Sequence, residues 1–304
     1  MPEFCGKLTL CGEHFVLFGA PAVALPWSGG TLRLRAHREQ QECIDQKIDP
    51  RLLEAWNVAL GLAGLPAAAT FPFVIDSTIP VGAGFGSSAA LSVALVAAST
   101  QQAGKAVSDV ENIAASTQVE AVFHGRSSGL DPAAVLLRRP VLREAGGSLK
   151  PLSWRLSCPD IVLAMAAGER QTAEAVERSR SFASTRSGRF HELMDEAGAL
   201  VLEAASLMEC AEVPGTEERL GVLLTRNHAM LWELGVSSDA LDRLVDAALS
   251  GGAMGAKLCG AGLGGAVLAL PRPGESGKVE EAMKRAGAKR VMTWHVSDTW
   301  GIRE

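Results

Sequence analysis

"PVGAGFGSSAALSVAL" (Pro80–Leu95) sets three glycines, Gly82, Gly84 and Gly86, and two serines, Ser87 and Ser88, directly ahead of an apolar run. Read for structure alone, the glycines permit positive φ, a serine caps a helix, and "AALSVALVAAS" is apolar on nearly every face, which predicts a core helix. Read for chemistry, the first turn of that helix leaves backbone N–H groups unpaired, the macrodipole adds partial positive charge, and glycines let a bulky anion come close. Phosphate fits that description. Paired hydroxyls at the helix start can also reach a divalent ion shared by phosphates. The stretch is not GxxxxGK[ST], so it is not a P-loop.

The rest of the chain narrows the partner. Its 304 residues predict two domains with ample core. With 29 basic and 34 acidic residues, a net charge of −5 and no long block of one sign, nothing draws it to nucleic acid or an anionic membrane. A small-molecule partner is expected. Cys5, Cys11, Cys43, Cys158, Cys210 and Cys259 form no CxxC pair and read as reduced thiols of a cytosolic protein. "MPEFCGKLTL" lacks signal-peptide character, and no apolar run reaches the ~18 residues of a membrane helix, so a soluble intracellular protein is expected.

Period-two alternation with turn residues predicts paired strands over 4–37. Helices are predicted over 50–64, 87–103 and 108–124, the last opened by Ser108 with Glu111 three positions on. "FPFVIDSTIP" and "DIVLAMAAG" read as strands, and 138–156 is rich in Pro, Gly and strand formers. Residues 171–250 read as helical with breaks near Gly188, Pro214 and Ser237; a Gly-rich stretch, a strand and a final strand "RVMTWHVSD" follow. Strands and helices in both halves predict an α+β class rather than one doubly wound sheet, with domains at 1–155 and 156–304. Neither a fixed-period repeat nor a low-complexity tract is present.

Three further constellations stand out. "GKLTLCGEHFVLFG" places Lys7, Glu13 and His14 around a hairpin; adjacent strand residues face opposite sides, so Glu13 and His14 share a site only if the chain turns at Gly12. No HExxH is present, which excludes that metalloprotease type. "VEAVFHGRSSGLDPAAV" puts Glu120 and His124 four apart on one helical face, then Asp131 before Pro132. These residues read either as an ordinary surface pair and a turn, or as a carboxylate for metal (Glu120) and one for proton removal (Asp131). "KLCGAGLGGAVLAL" (257–270) carries a GxGxGG pattern, but its glycines precede a strand, the wrong order for a dinucleotide fingerprint.

Taken together and in order, these motifs resemble the GHMP kinase superfamily, and within it the mevalonate kinase branch most closely. "GKLTLCGEHFVLFGAPAVA" follows GKxxLxGEHxVxxGxPAxA, "PVGAGFGSSAA" follows PxGxGLGSSAA, "HGRSSGLD" follows HGxPSGxD, and "KLCGAGLGG" is similar to KLTGAGGGG. "LLTRNHAMLWELGVSSDALDRLV" (223–245) resembles the family's helical segment with N-H and GVS. The resemblance implies a ribosomal-protein-S5-like N-terminal domain, a ferredoxin-like C-terminal domain and an active site in the cleft between them. It implies transfer of the ATP γ-phosphoryl group, with Mg²⁺, to the 5-hydroxyl of mevalonate. On the same resemblance, Pro80, Gly82, Gly84, Gly86, Ser87 and Ser88 wrap the phosphates, and Gly260, Ala261 and Gly262 support the site. The resemblance also implies that Ser88 and Glu120 hold Mg²⁺. Asp131 is the catalytic aspartate, and Lys7 pairs with it and eases ionisation of the substrate hydroxyl. Glu13, His14, Ser128, Gly129 and Thr172 lie by the substrate. The resemblance allows a homodimer.

Departures from the pattern are Ser127 for Pro, Phe85 and Leu263 in the glycine loops, and a chain short for a eukaryotic-type member. They bear on the acceptor more than on the kinase. Rival readings are a phosphomevalonate, homoserine or sugar kinase, with Arg126 and Arg170 available to a substrate phosphate, and a nucleotide-binding regulator without catalysis. Phe15-Val16 after Gly-Glu-His count against a sugar.

Overall fold

β1 (Glu3–Cys11) is buried from Phe4 onward on both faces, and β2 (Ala22–Ala36) is buried through Trp27 before it alternates. A 3₁₀ turn, Phe15–Phe18, lies between them. The computed structural model describes residues 2–36, 49–156, 160–168, 171–210 and 213–296. Cys43, Cys158 and Arg170 lie outside the described residues.

The described residues group into two units, one holding those up to Lys7 with Pro26–Pro80 and Gly86–Arg138, the other holding Leu8–Leu25, Val81–Phe85 and those from Arg139 onward. This grouping differs from a single cut near residue 155, because β1 and β2 each run through both units.

In the first unit, the far end of β2 pairs antiparallel with β3 (Phe73–Ser77), from Leu32 opposite Ser77 to Ala36 opposite Phe73. Among the described residues, four helices fill the rest. α1 (Pro50–Ala63) starts with Pro50 at its first position and an Asp49 cap that accepts from the Arg51 N–H, a placement that uses a residue with no N–H to give. α2 (Ser87–Gln102) is buried along almost its whole length from Ala89 to Ser99, and it packs against α1, α3 (Asp109–His124) and α4 (Leu130–Leu137). A helix apolar all round is stable only when covered on every side. α3 opens with the expected capping box, Ser108 and Glu111 bonding each other's backbone N–H.

In the second unit, the start of β2 pairs with β4 (Val141–Arg143), which pairs with β5 (Leu149–Pro151). β6 (Asp160–Met165), β7 (Gly255–Cys259), β8 (Ala266–Leu270) and β9 (Arg290–His295) form an antiparallel sheet in the order β7-β8-β6-β9. The helices are α5 (Thr172–Thr185), α6 (Ser187–Glu209), α7 (Thr216–Glu233), α8 (Asp239–Ser250) and α9 (Ser276–Arg285). α7 and α8 pack on β7, and α9 on β6 and β9. Antiparallel sheets with helices set apart from them make the α+β class expected from sequence.

Three elements go beyond the sequence reading. Asp131-Pro132 reads as a turn but sits inside the first turn of α4, where proline's missing N–H costs nothing. The Gly-rich 250–271 segment holds two strands joined as a hairpin, not one. α9 buries only Val279 and Met283, too thin an apolar stripe to read. Among the described residues, no helix is long and apolar enough to cross a membrane.

Candidate active site

Gly86, the last glycine of the loop, meets Lys7 in the first unit. Gly86 caps α2 at φ +79°, and a Cβ there would lie 2.5 Å from Lys7 Cγ and 3.0 Å from its backbone nitrogen. Only glycine lets the helix start press against β1 at this point. The α2 N-terminus has no side-chain cap, so its first N–H groups suit an anion. Ser87 and Ser88 are half-buried on that first turn, and Pro80, Gly82 and Gly84 precede it, the two glycines with positive φ.

Lys7 Nζ lies 2.7 Å from Asp131 Oδ2. The lysine is buried, whereas the aspartate side chain keeps 31% of its exposure, enough to meet a ligand. Asp131 is the second residue of α4, behind Gly129 at φ +78°. Glu120, in the last turn but one of α3, is buried. Burial first, and the Asp131 charge second, push its carboxyl up to about 8, against the opposing pull of Ser127, Lys7 and Ser88.

The hydrogen bonds here differ from the i, i+4 pairing of Glu120 with His124. His124 Nε2 lies 2.8 Å from Ser88 Oγ. Ser127 Oγ donates to Glu120 Oε2 at 2.5 Å and accepts from the Gly129 N–H at 3.2 Å, tying α3 to the start of α4. Ser127, a departure from the family pattern, thus holds Glu120. Ser128 Oγ accepts from the Leu130 N–H at 3.4 Å, and Arg126 is exposed.

A second cluster forms in the second unit. The chain does turn at Gly12, so Glu13 and His14 leave the strand together. His14 has φ +62°; its Nε2–H donates to the Ala261 carbonyl at 2.7 Å and its Nδ1 lies 2.7 Å from Ser179 Oγ on α5. Glu13 pairs with Lys257 of β7, and both are buried. The β7–β8 loop holding Gly260, Ala261 and Gly262 is pinned by Leu263, whose N–H donates to the Val236 carbonyl at 2.8 Å and whose carbonyl accepts from the Gln171 N–H at 3.2 Å. Those bonds hold Leu263 at φ +47°, a region that L side chains rarely adopt. Thr172 follows Gln171 as the first residue of α5.

The N-H and GVS residues are braces. Asn227 Oδ1 accepts from the Gly12 N–H at 3.3 Å. His228 Nδ1 accepts from the Leu258 N–H at 3.3 Å, and its Nε2 faces Asp242 at 3.2 Å, while Asp242 accepts from Ser237. Burial holds the His228 imidazole below its ordinary pKa, against the pull of Asp242. Of the cysteines, Cys5, Cys11, Cys210 and Cys259 are free thiols, and burial pushes Cys11 up to about 12, which makes it inert. Sequence reasoning missed Lys257, Ser127, Ser179 and the bracing role of Asn227. Lys257 carries a signal as a charge inside an otherwise apolar strand, and Ser127 as the serine where the family pattern has proline.

Comparison with known proteins agrees with these motifs. Residues 51–139 match the family model of the GHMP kinase N-terminal domain and residues 181–289 that of the GHMP kinase C-terminal domain. The mevalonate kinase of Pyrococcus horikoshii is 31% identical over 94% of this chain and 92% of its own length. That of Thermococcus gammatolerans is 35% identical over 94% and 93%. In fold, the chain is similar to the crystal structure of L. major mevalonate kinase in complex with R-mevalonate, with a TM-score of 0.76 at 24% identity over 96% of this chain and 95% of that one. Full-length similarity at this level, with both family models matched in order, means that the chain belongs to the GHMP kinase family.

Proposed function

We propose that this kinase transfers the γ-phosphoryl group of ATP to the 5-hydroxyl of mevalonate, giving 5-phosphomevalonate and ADP in isoprenoid biosynthesis, in the cytoplasm. The observation that carries the reading is the Lys7–Asp131 pair at 2.7 Å, beside buried Glu120 and against the glycine-capped start of α2. Full-length similarity to mevalonate kinases supports the choice of acceptor.

Phosphoryl transfer needs positioning and charge neutralisation more than covalent chemistry. Asp131 orients the acceptor hydroxyl and takes its proton as that oxygen bonds to the γ-phosphorus and the bond to the β–γ bridging oxygen breaks. Lys7, buried and held by Asp131, sets its positive charge against the negative charge that develops on the oxygens. The backbone N–H groups at the start of α2, with Gly82, Gly84 and Gly86 before them, receive the phosphates, and Gly260, Ala261 and Gly262 are assigned a supporting role by the resemblance. Glu13, His14, Ser128, Gly129 and Thr172 bear on the acceptor.

The residues present fit a divalent cation. Glu120 is only partly compensated, since burial and Asp131 disfavour its ionised form more than Ser127, Lys7 and Ser88 favour it, and Ser88 adds a hard oxygen. Glu120 and Ser88 would hold Mg²⁺. When bound, Mg²⁺ neutralises phosphate charge.

An ADP-release assay with mevalonate, phosphomevalonate, homoserine and galactose tests the reading. Turnover is expected with mevalonate in large excess over the others. Preference for another acceptor overturns the mevalonate assignment, and ATP binding without turnover on any overturns the kinase.

A further inference from the structure

β7 reads Gly-Ala-Lys-Leu-Cys and is buried at every position, yet its central residue is a lysine with no exposed surface. Lys257 Nζ donates to Glu13 and to the Leu258 carbonyl at 2.6 Å. Glu13 takes that contact through Oε1 alone; its Oε2 is buried and has no hydrogen-bond partner among the described residues. Two buried charges that could be replaced by apolar side chains of similar volume are weak contributors to stability, and an orphaned carboxylate oxygen costs more still. Packing alone therefore does not account for the arrangement.

The elbow that carries Glu13 is braced from several sides. Gly12 sits at φ +92° where a Cβ would lie 2.6 Å from the Pro21 carbonyl oxygen, so the chain turns there on a glycine that nothing larger replaces. Asn227 receives its N–H. The two ring nitrogens of His14 are committed to Ala261 and Ser179. Of the adjacent pair, His14 is spent on holding the turn, and Glu13 keeps an open acceptor.

We infer that Lys257 is a positioning residue: it clamps the Glu13 carboxylate by one oxygen and so presents the other as a fixed acceptor for a hydroxyl group of the phosphoryl acceptor. The inference rests on the kinase reading above and assigns specificity for a hydroxylated acceptor to a residue of the third glycine motif.

Steady-state kinetics of Lys257→Met, Glu13→Gln and the double variant test it. Lys257→Met is expected to raise the acceptor KM about tenfold while leaving the ATP KM within about twofold. In the Glu13→Gln background the same substitution is expected to change the acceptor KM by less than about twofold, because Lys257 acts only through Glu13. A purely structural role would lower thermal stability without that split. An unchanged acceptor KM in Lys257→Met, or an equal rise in both backgrounds, overturns the inference. If Lys257→Met does not fold, the double variant, which leaves no unpaired buried charge, is compared with Glu13→Gln: equal acceptor KM supports the inference and a tenfold difference overturns it. All ratios use whichever acceptor the wild type turns over. A wild type inactive on every acceptor removes the kinase reading and the inference together, whereas an active wild type with unchanged ratios removes the inference alone.

Discussion

The two polar clusters differ in what they lack. The Lys7 cluster sets one lysine against two carboxylates, Asp131 and Glu120, and the buried one is pushed toward its neutral form. The Lys257 cluster sets one lysine against one carboxylate, buried and balanced in charge, but with one oxygen unbonded. The first is short of positive charge and suits a cation with phosphates. The second is short only of a hydrogen-bond donor and suits a hydroxyl. Imbalance in a buried polar group is costly, so the kind of imbalance indicates the kind of ligand.

Breaking the first cluster has the largest expected effect. Asp131→Asn removes the proposed proton acceptor and half of the ion pair, and turnover is expected to fall by a factor of roughly 10²–10⁴ with ATP binding by calorimetry nearly intact. Unchanged turnover contradicts the role of Asp131.

Glu120→Gln is expected to act in opposite directions on function and stability. It is expected to weaken Mg²⁺-dependent ATP binding. It also removes a carboxyl whose folded-state pKa is raised to about 8. A group raised in this way binds its proton more tightly in the folded state, so its cost appears as pH climbs above the ordinary carboxylate value and is complete above about 8. The variant is expected to be more stable than the wild type at pH 8 and equal to it at pH 4, as measured by urea unfolding. Lower stability at pH 8 contradicts the electrostatic account of this cluster.

Gly86→Ala sharpens the comparison from the backbone side. A methyl group forced against Lys7 in a left-handed conformation is expected to cost roughly 1–3 kcal/mol and to raise the ATP KM. The control Gly82→Ala, with nothing within 4 Å of its Cβ, bears only the cost of positive φ.

The smallest effect belongs to the braces of the second cluster. His228 is held below its ordinary pKa, so it contributes stability above that value that is lost as pH falls below it toward the folded-state pKa. His228→Gln is expected to flatten the acid side of a Tm-against-pH curve between pH 7 and 5. An unchanged acid limb shows that His228 does not titrate on unfolding.

Much of this was readable before the structure. The α2 helix announces itself by an unbroken apolar run behind glycines, and α3 by its Ser108–Glu111 box. α4 was hidden because Pro132 suggests a turn, although a first helical turn tolerates proline. The pairing of Lys7 with Asp131 came from resemblance, since 124 residues separate them and spacing cannot bring them together. Lys257 and Glu13 each lie in a motif, but they are 244 residues apart and their pairing follows from neither period nor spacing; only the tertiary fold joins them. Ser127 appeared in the sequence as a loss, a missing proline, whereas the structure makes it the donor to Glu120.

The most direct test of the central claim is the identity of the product. Incubation with ATP, Mg²⁺ and R-mevalonate, followed by ³¹P and ¹³C NMR, is expected to show a phosphate ester on the 5-oxygen of mevalonate with one ADP formed per ester. A phosphate on the 3-oxygen, or ADP formed without any mevalonate ester, would contradict the account.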